Sequence, residues 1–241
     1  MKGWIIYVIM IVAVGVSYAI FKTLPEYIQK GGPLIIALMV LMIMVFTFII
    51  ERLWTLKQAS GKGDIGGFVR KLKNAVHGGK LDEAIEACRK QGGCLANVVG
   101  AGLERYSALQ GQDIPQDELI DETRRAFEEA NALETPLLER NLIALSTIAS
   151  IGTMVGLLGT TIGMIRSFKA MGHQGAPDAI QLALGISEAL INTAGGLFLA
   201  ILAIIMYNYF TNRVDAFNYS MDETTFEVLQ LLQHQKGAVR G

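Results

Sequence analysis

Charge is scarce in this chain, and histidine and cysteine are scarcer still. Asp, Glu, Lys and Arg make up 18% of the 241 residues while hydrophobic types make up 51%, a balance too apolar for an ordinary soluble domain. The formal charge of -1 gives no global basicity, so no nucleic-acid partner is expected. The three histidines, at 77, 173 and 234, are scattered without metal-ligand spacing. The two cysteines, Cys88 and Cys94, read as ordinary buried or half-buried thiols. No nucleophile with a matching base and no ligand cluster can be assembled from these residues, so the chain is not expected to be an enzyme, and neither a cofactor nor a metal is expected.

What the chain has is apolar length. Four stretches approach or exceed the roughly 18 residues that a bilayer core requires: Trp4 to Phe21, Pro33 to Ile50, about Leu142 to Ile165 and about Leu182 to Phe210. They predict an all-α polytopic membrane protein divided as 1–24, 31–54, 55–140, 141–168, 182–211 and 212–241. Placing residues 51–140 and the C-terminus in the cytoplasm leaves 17 Lys and Arg inside and four outside (Lys22, Lys30, Arg166, Lys169), as the positive-inside rule demands. Lys2, the apolar run and Ser17-Tyr18-Ala19 also resemble a signal peptide, but the 18-residue length of the first stretch is long for one and favours a retained span, a transmembrane or uncleaved signal-like helix.

Gly31-Gly32-Pro33 breaks the chain, and Pro33 opens the next span where a missing N–H costs nothing. Glu51-Arg52-Leu53-Trp54 closes that span with charge and an amphipathic ring. Gly61 to Gly67 then reads as a turn, followed by amphipathic helices over about Phe68 to His77, Leu81 to Gln91 and Leu95 to Leu109. From about Pro115 a helical pattern runs without an obvious stop into the span after Leu142. One helix of about 50 residues is about 75 Å long, more than a bilayer holds, so it projects into the cytoplasm. Pro136 is the expected place for a kink. The last span likewise stays helical past Phe210, over Asn212 to Gln235.

Two stripes mark the span after Leu142. Gly152, Gly156, Gly159 and Gly163 return to one helical face, and Ser146, Thr153, Thr160 and Ser167 recur every seven residues beside it. Small-xxx-small faces serve helix packing, and membrane hydroxyls often bond their own backbone, so a packing seam and a pore wall both fit. On the final span, Glu188 is the only charged residue between Asp178 and Arg213. A carboxylate deep in a span costs about 2.5–3.5 kcal/mol and calls for a cavity, an ion path or a partner. A second titratable group from another subunit is expected. Asn192 lies one turn beyond Glu188, whereas Thr193 lies about 140° around the helix, so Glu188 and Thr193 address different neighbours. Gly185 and Gly196 extend a second small-residue face with Ala189 and Ala200.

The stretches GGPLIIALMVLMIMVFTFIIERLW (31–54), LERNLIALSTIASIGTMVGLLGTTIGMIRSF (138–168) and GISEALINTAGGLFLAILAIIMYNYFTNRVD (185–215) resemble the three core spans of the MotA/TolQ/ExbB proton-channel family, and specifically its ExbB branch. The resemblance implies a homopentamer in the bacterial inner membrane around an ExbD-like single-span partner, energising a TonB-like protein. It implies that Thr160 of GLLGT and Thr193 of EALxxTA line the lumen and that Glu188 is the motif's glutamate. Asn192, Thr153 and Ser146 join the expected proton path from the residue pattern itself, and the resemblance implies that the glycines admit neighbouring helices or the enclosed partner. Thr153 and Leu202 stand where many relatives have proline, and Asn192 where many have a short residue. A Tol-type envelope motor, a gliding motor and a passive membrane scaffold remain alternatives.

Overall fold

A computed structural model describes residues 14–112, 114–171 and 178–237, apart from the side chains of residues 26, 27 and 235–237. The expected N-terminal span falls mostly outside the described residues, and its last part, 14–21, is helical (α1). The remaining elements are α2 (Glu26–Gln29), α3 (Pro33–Ala59), α4 (Ile65–His77), α5 (Leu81–Gln91), α6 (Gly93–Gln110), α7 (Gln116–Glu139), α8 (Leu142–Met171) and α9 (Ala179–Gly237). The described residues contain no strand. Among the described residues, three stretches are long and apolar enough to cross a membrane: Pro33–Ala59, Gln116–Met171 and Ala179–His234.

The chain divides into an apolar unit, residues 1–51 with 141–209, and a polar unit, residues 52–140 with 210–241. In the apolar unit α3 buries Ile35, Leu38, Val45 and Ile49, spaced as one helical face. On α8 the buried face includes Leu145, Ile148, Ala149 and the four glycines. Asp178 caps α9, its carboxylate accepting the Ile180 and Gln181 amides at 3.0 and 3.1 Å. In the polar unit α6 buries most of its length, and Phe127 of α7 lies so close that a Cβ on Gly102 would meet its ring at 2.1 Å. Here α9 contributes Phe210, Val214, Met221, Val228 and Leu232, a second apolar face on the helix that spans the membrane.

Two sequence expectations need correction. The turn after α3 stops at Asp64, whose carboxylate takes the Gly66 and Gly67 amides at 3.3 and 2.7 Å, so those glycines belong to α4. The expected unbroken helix through Pro136 is interrupted instead at Arg140–Asn141, where Asn141 adopts φ +64°. Asparagine is among the few residues that visit this left-handed region readily. The buried Arg52 guanidinium donates to the Leu138 carbonyl at 3.0 Å, satisfying an acceptor that the break releases. Pro136 stays inside α7.

Candidate functional site

The glycine stripe of α8 is used up by α9 of the same chain. A Cβ on Gly152 would meet Leu199 at 2.8 Å, one on Gly156 the Asn192 carbonyl and the Gly196 Cα at 3.2 Å, and one on Gly159 the Asn192 Cβ at 2.2 Å. A Cβ on Gly196 would lie 2.6 Å from the Gly152 carbonyl oxygen. At the Asp178 end of the pair, Gly163 and Gly185 meet in the same way. In lipid the hydrophobic effect does not hold helices together, so such backbone contact supplies the packing instead. These glycines are buried against the neighbouring helix of the same chain, the first of the two alternatives expected for them.

The expected path residues fall into two groups. Thr193 donates its hydroxyl to the Gly156 carbonyl at 3.2 Å, and Gly156 lies on α8 between Thr153 and Thr160. Thr153 and Thr160 bond back to the Ala149 and Leu157 carbonyls at 3.2 and 2.6 Å. All three threonines and Ser146 are half-buried, with Leu157, Met164, Leu190 and Leu197 exposed nearby in sequence. Ser167 leaves this stripe: it is buried and donates to the Leu182 carbonyl at 3.1 Å, because the helices close on each other at that end.

Glu188 and Asn192 form the other group, facing the turn before α3. Asn192 is fully buried, and its Nδ2 donates to the Gly31 carbonyl at 2.8 Å. A Cβ on Gly32, whose φ is +70°, would strike the Glu188 carboxylate at 2.7 Å, so only glycine fits there. Glu188 is therefore level with the first residues of α3, at a loop end of the unit and not midway along it. It has a charged neighbour in the same chain: Arg166 Nη1 lies 2.5 Å from Glu188 Oε2, with side chains 53% and 7% exposed. Sequence reasoning missed Arg166, Gly31 and Gly32 as site residues. The signal was available, since Arg166, Lys169, Asp178 and Glu188 are the only charges between residues 141 and 212.

Among the described residues no group of His, Cys, Asp and Glu could hold a metal. The buried cysteines are unpaired, and burial first, then Glu104 for Cys88 and Glu134 for Cys94, pushes both thiols up to about 12.

A family profile for the MotA/TolQ/ExbB proton channel family matches residues 93–223, which takes in α6 to α8 and most of α9. The chain belongs to that family. Over 120 residues it is 39% identical to the Tol-Pal system protein TolQ of Pseudomonas aeruginosa, covering 49% of this chain and 52% of that protein. Over 218 residues it is 25% identical to the biopolymer transport protein ExbB of Pseudomonas putida, covering 88% of this chain and 65% of that one. It is 24% identical over 218 residues to ExbB of Neisseria meningitidis, covering 86% and 96%. The chain thus spans a little over half the length of the TolQ proteins it matches, 52% and 59%. Membership in the MotA/TolQ/ExbB family and the three apolar helices make it a multi-pass membrane protein.

Proposed function

We propose that the protein is the channel-forming subunit of a proton-driven motor in the bacterial inner membrane. Five copies enclose an ExbD-like single-span partner whose carboxylate carries the proton, and the motion energises a TonB-like protein for outer-membrane transport. The polar unit and the C-terminus lie in the cytoplasm. The observation that carries this reading is the Thr193–Gly156 hydrogen bond: it sets a third hydroxyl beside Thr153 and Thr160 on a half-exposed face that the chain itself leaves uncovered. Hydroxyls both donate and accept, so such a face can hand a proton to or from a carboxylate moving along it.

The experiment is reconstitution of the protein, co-expressed with its neighbouring genes, into liposomes under an imposed membrane potential. The wild-type assembly takes up protons, and Thr193→Val lowers the flux without changing the mass of the intact complex. Unchanged flux in the variant overturns the role given to this face. The TolQ likeness favours a second reading, a Tol-type motor for envelope maintenance. The two separate by phenotype: loss of the gene impairs nutrient uptake in the first case and envelope integrity in the second.

A further inference from the structure

We propose that the Arg166–Glu188 ion pair latches the Gly31–Gly32 turn onto the α8–α9 pair, so that Glu188 anchors the fold and the proton route bypasses it. This rests on the proton-channel reading and assigns Glu188 a different part in it from the one its sequence motif implies.

Three observations carry the inference. First, the Arg166 guanidinium on α8 donates to Glu188 Oε2 on α9 at 2.5 Å, a charge-assisted contact across the helix pair. Glu188 is the only carboxylate that Arg166 pairs with among the described residues.

Second, both carboxylate oxygens are closed in. Gly32 closes on Oε1 and Arg166 holds Oε2, while Gly185 and Asn192 flank Glu188 one turn to either side on α9. A group that loads and unloads a proton from a moving partner needs access to it, and Glu188 is 5% exposed. Asn192, one turn on, bonds the Gly31 carbonyl and secures the same turn a second time.

Third, among the described residues the pair and the hydroxyls bond different partners. The Glu188 side chain bonds Arg166, the Thr193 hydroxyl bonds the Gly156 carbonyl, and the Thr160 hydroxyl bonds the Leu157 carbonyl. The acid and the hydroxyls lie on different sides of α9, which is the geometry of two separate tasks.

The test is a double-mutant cycle on the full assembly with Arg166→Gln, Glu188→Gln and the double variant, read by proton flux in liposomes and by thermal unfolding in detergent. Arg166→Gln strands the buried Glu188 carboxylate and Glu188→Gln removes the acceptor that ties Arg166 to α9, so each single change lowers both flux and unfolding temperature, flux by about tenfold. The double variant pairs two neutral amides and recovers flux to within about threefold of wild type. A proton carrier cannot be replaced by glutamine, so a double variant as inactive as Glu188→Gln, or an Arg166→Gln variant that conducts normally, overturns the inference. A wild-type assembly that passes no protons sinks the channel reading instead, and the latch is then judged by the unfolding cycle alone: non-additive losses support it and additive ones overturn it.

Discussion

Gly163 and Gly185 touch through bare backbone: a Cβ on Gly163 would lie 2.6 Å from the Gly185 carbonyl oxygen, and one on Gly185 would lie 2.7 Å from the Gly163 carbonyl oxygen. The two clashes are reciprocal, and neither can be relieved by turning a side chain. Gly163→Ala is therefore expected to cost about 1–3 kcal/mol of stability, the usual range for overpacking. It lowers the unfolding temperature in detergent. Gly111→Ala is the control, since a Cβ there meets nothing within 4 Å, and it leaves that temperature unchanged.

Asn141 carries the break between α7 and α8 at φ +64° and donates to the Glu51 carboxylate at 3.4 Å. A β-branched residue at this conformation adds about 1–2 kcal/mol of strain, whereas glycine removes it. Asn141→Val is expected to lower the unfolding temperature and Asn141→Gly to preserve it. Equal losses in both would show that the Glu51 contact, and not the backbone angle, is what matters.

The thiols of Cys88 and Cys94, held at about 12, stay protonated across the physiological range. The folded protein should resist iodoacetamide at pH 7.5 and react at both sites only once unfolded. Because the folded state keeps protons that the unfolded state releases above pH 9, the thiols' contribution to stability falls as pH rises between 9 and about 12. Rapid labelling of the native protein would contradict the buried placement.

Within the hydroxyl face, Thr160→Val and Thr193→Val should each cut proton flux by about tenfold, equivalent to about 1.4 kcal/mol, the scale of one hydrogen bond. Thr147→Val, an exposed hydroxyl that bonds only the Ile143 carbonyl, should conduct as the wild type does. Flux measured alongside the mass of the complex separates a lost path from a lost assembly.

Much of the architecture was legible in apolar run length and glycine spacing, because both have a single structural outcome. An apolar stretch such as Pro33 to Ile50 must become a spanning helix, and glycines at 152, 156, 159 and 163 must share a face. What that face meets was not legible: periodicity gives direction on one helix and says nothing about which neighbour fills it. The break at Asn141 was hidden for a related reason. Proline is the obvious interrupter, yet Pro136 is accommodated inside α7, and the chain breaks instead at Asn141, with the distant Arg52 taking up the Leu138 carbonyl. The Arg166–Glu188 pair was hidden by sequence distance, 22 residues and a turn apart, although the shortage of other charges in both spans pointed to it.

Direct imaging of the purified complex tests the central claim. The account predicts several copies of this chain around a central cavity, with Ser146, Thr153, Thr160 and Thr193 facing it and the Arg166–Glu188 pair set back in each copy's own seam. A single copy, or an assembly in which those hydroxyls face lipid and only hydrocarbon lines the centre, would contradict it.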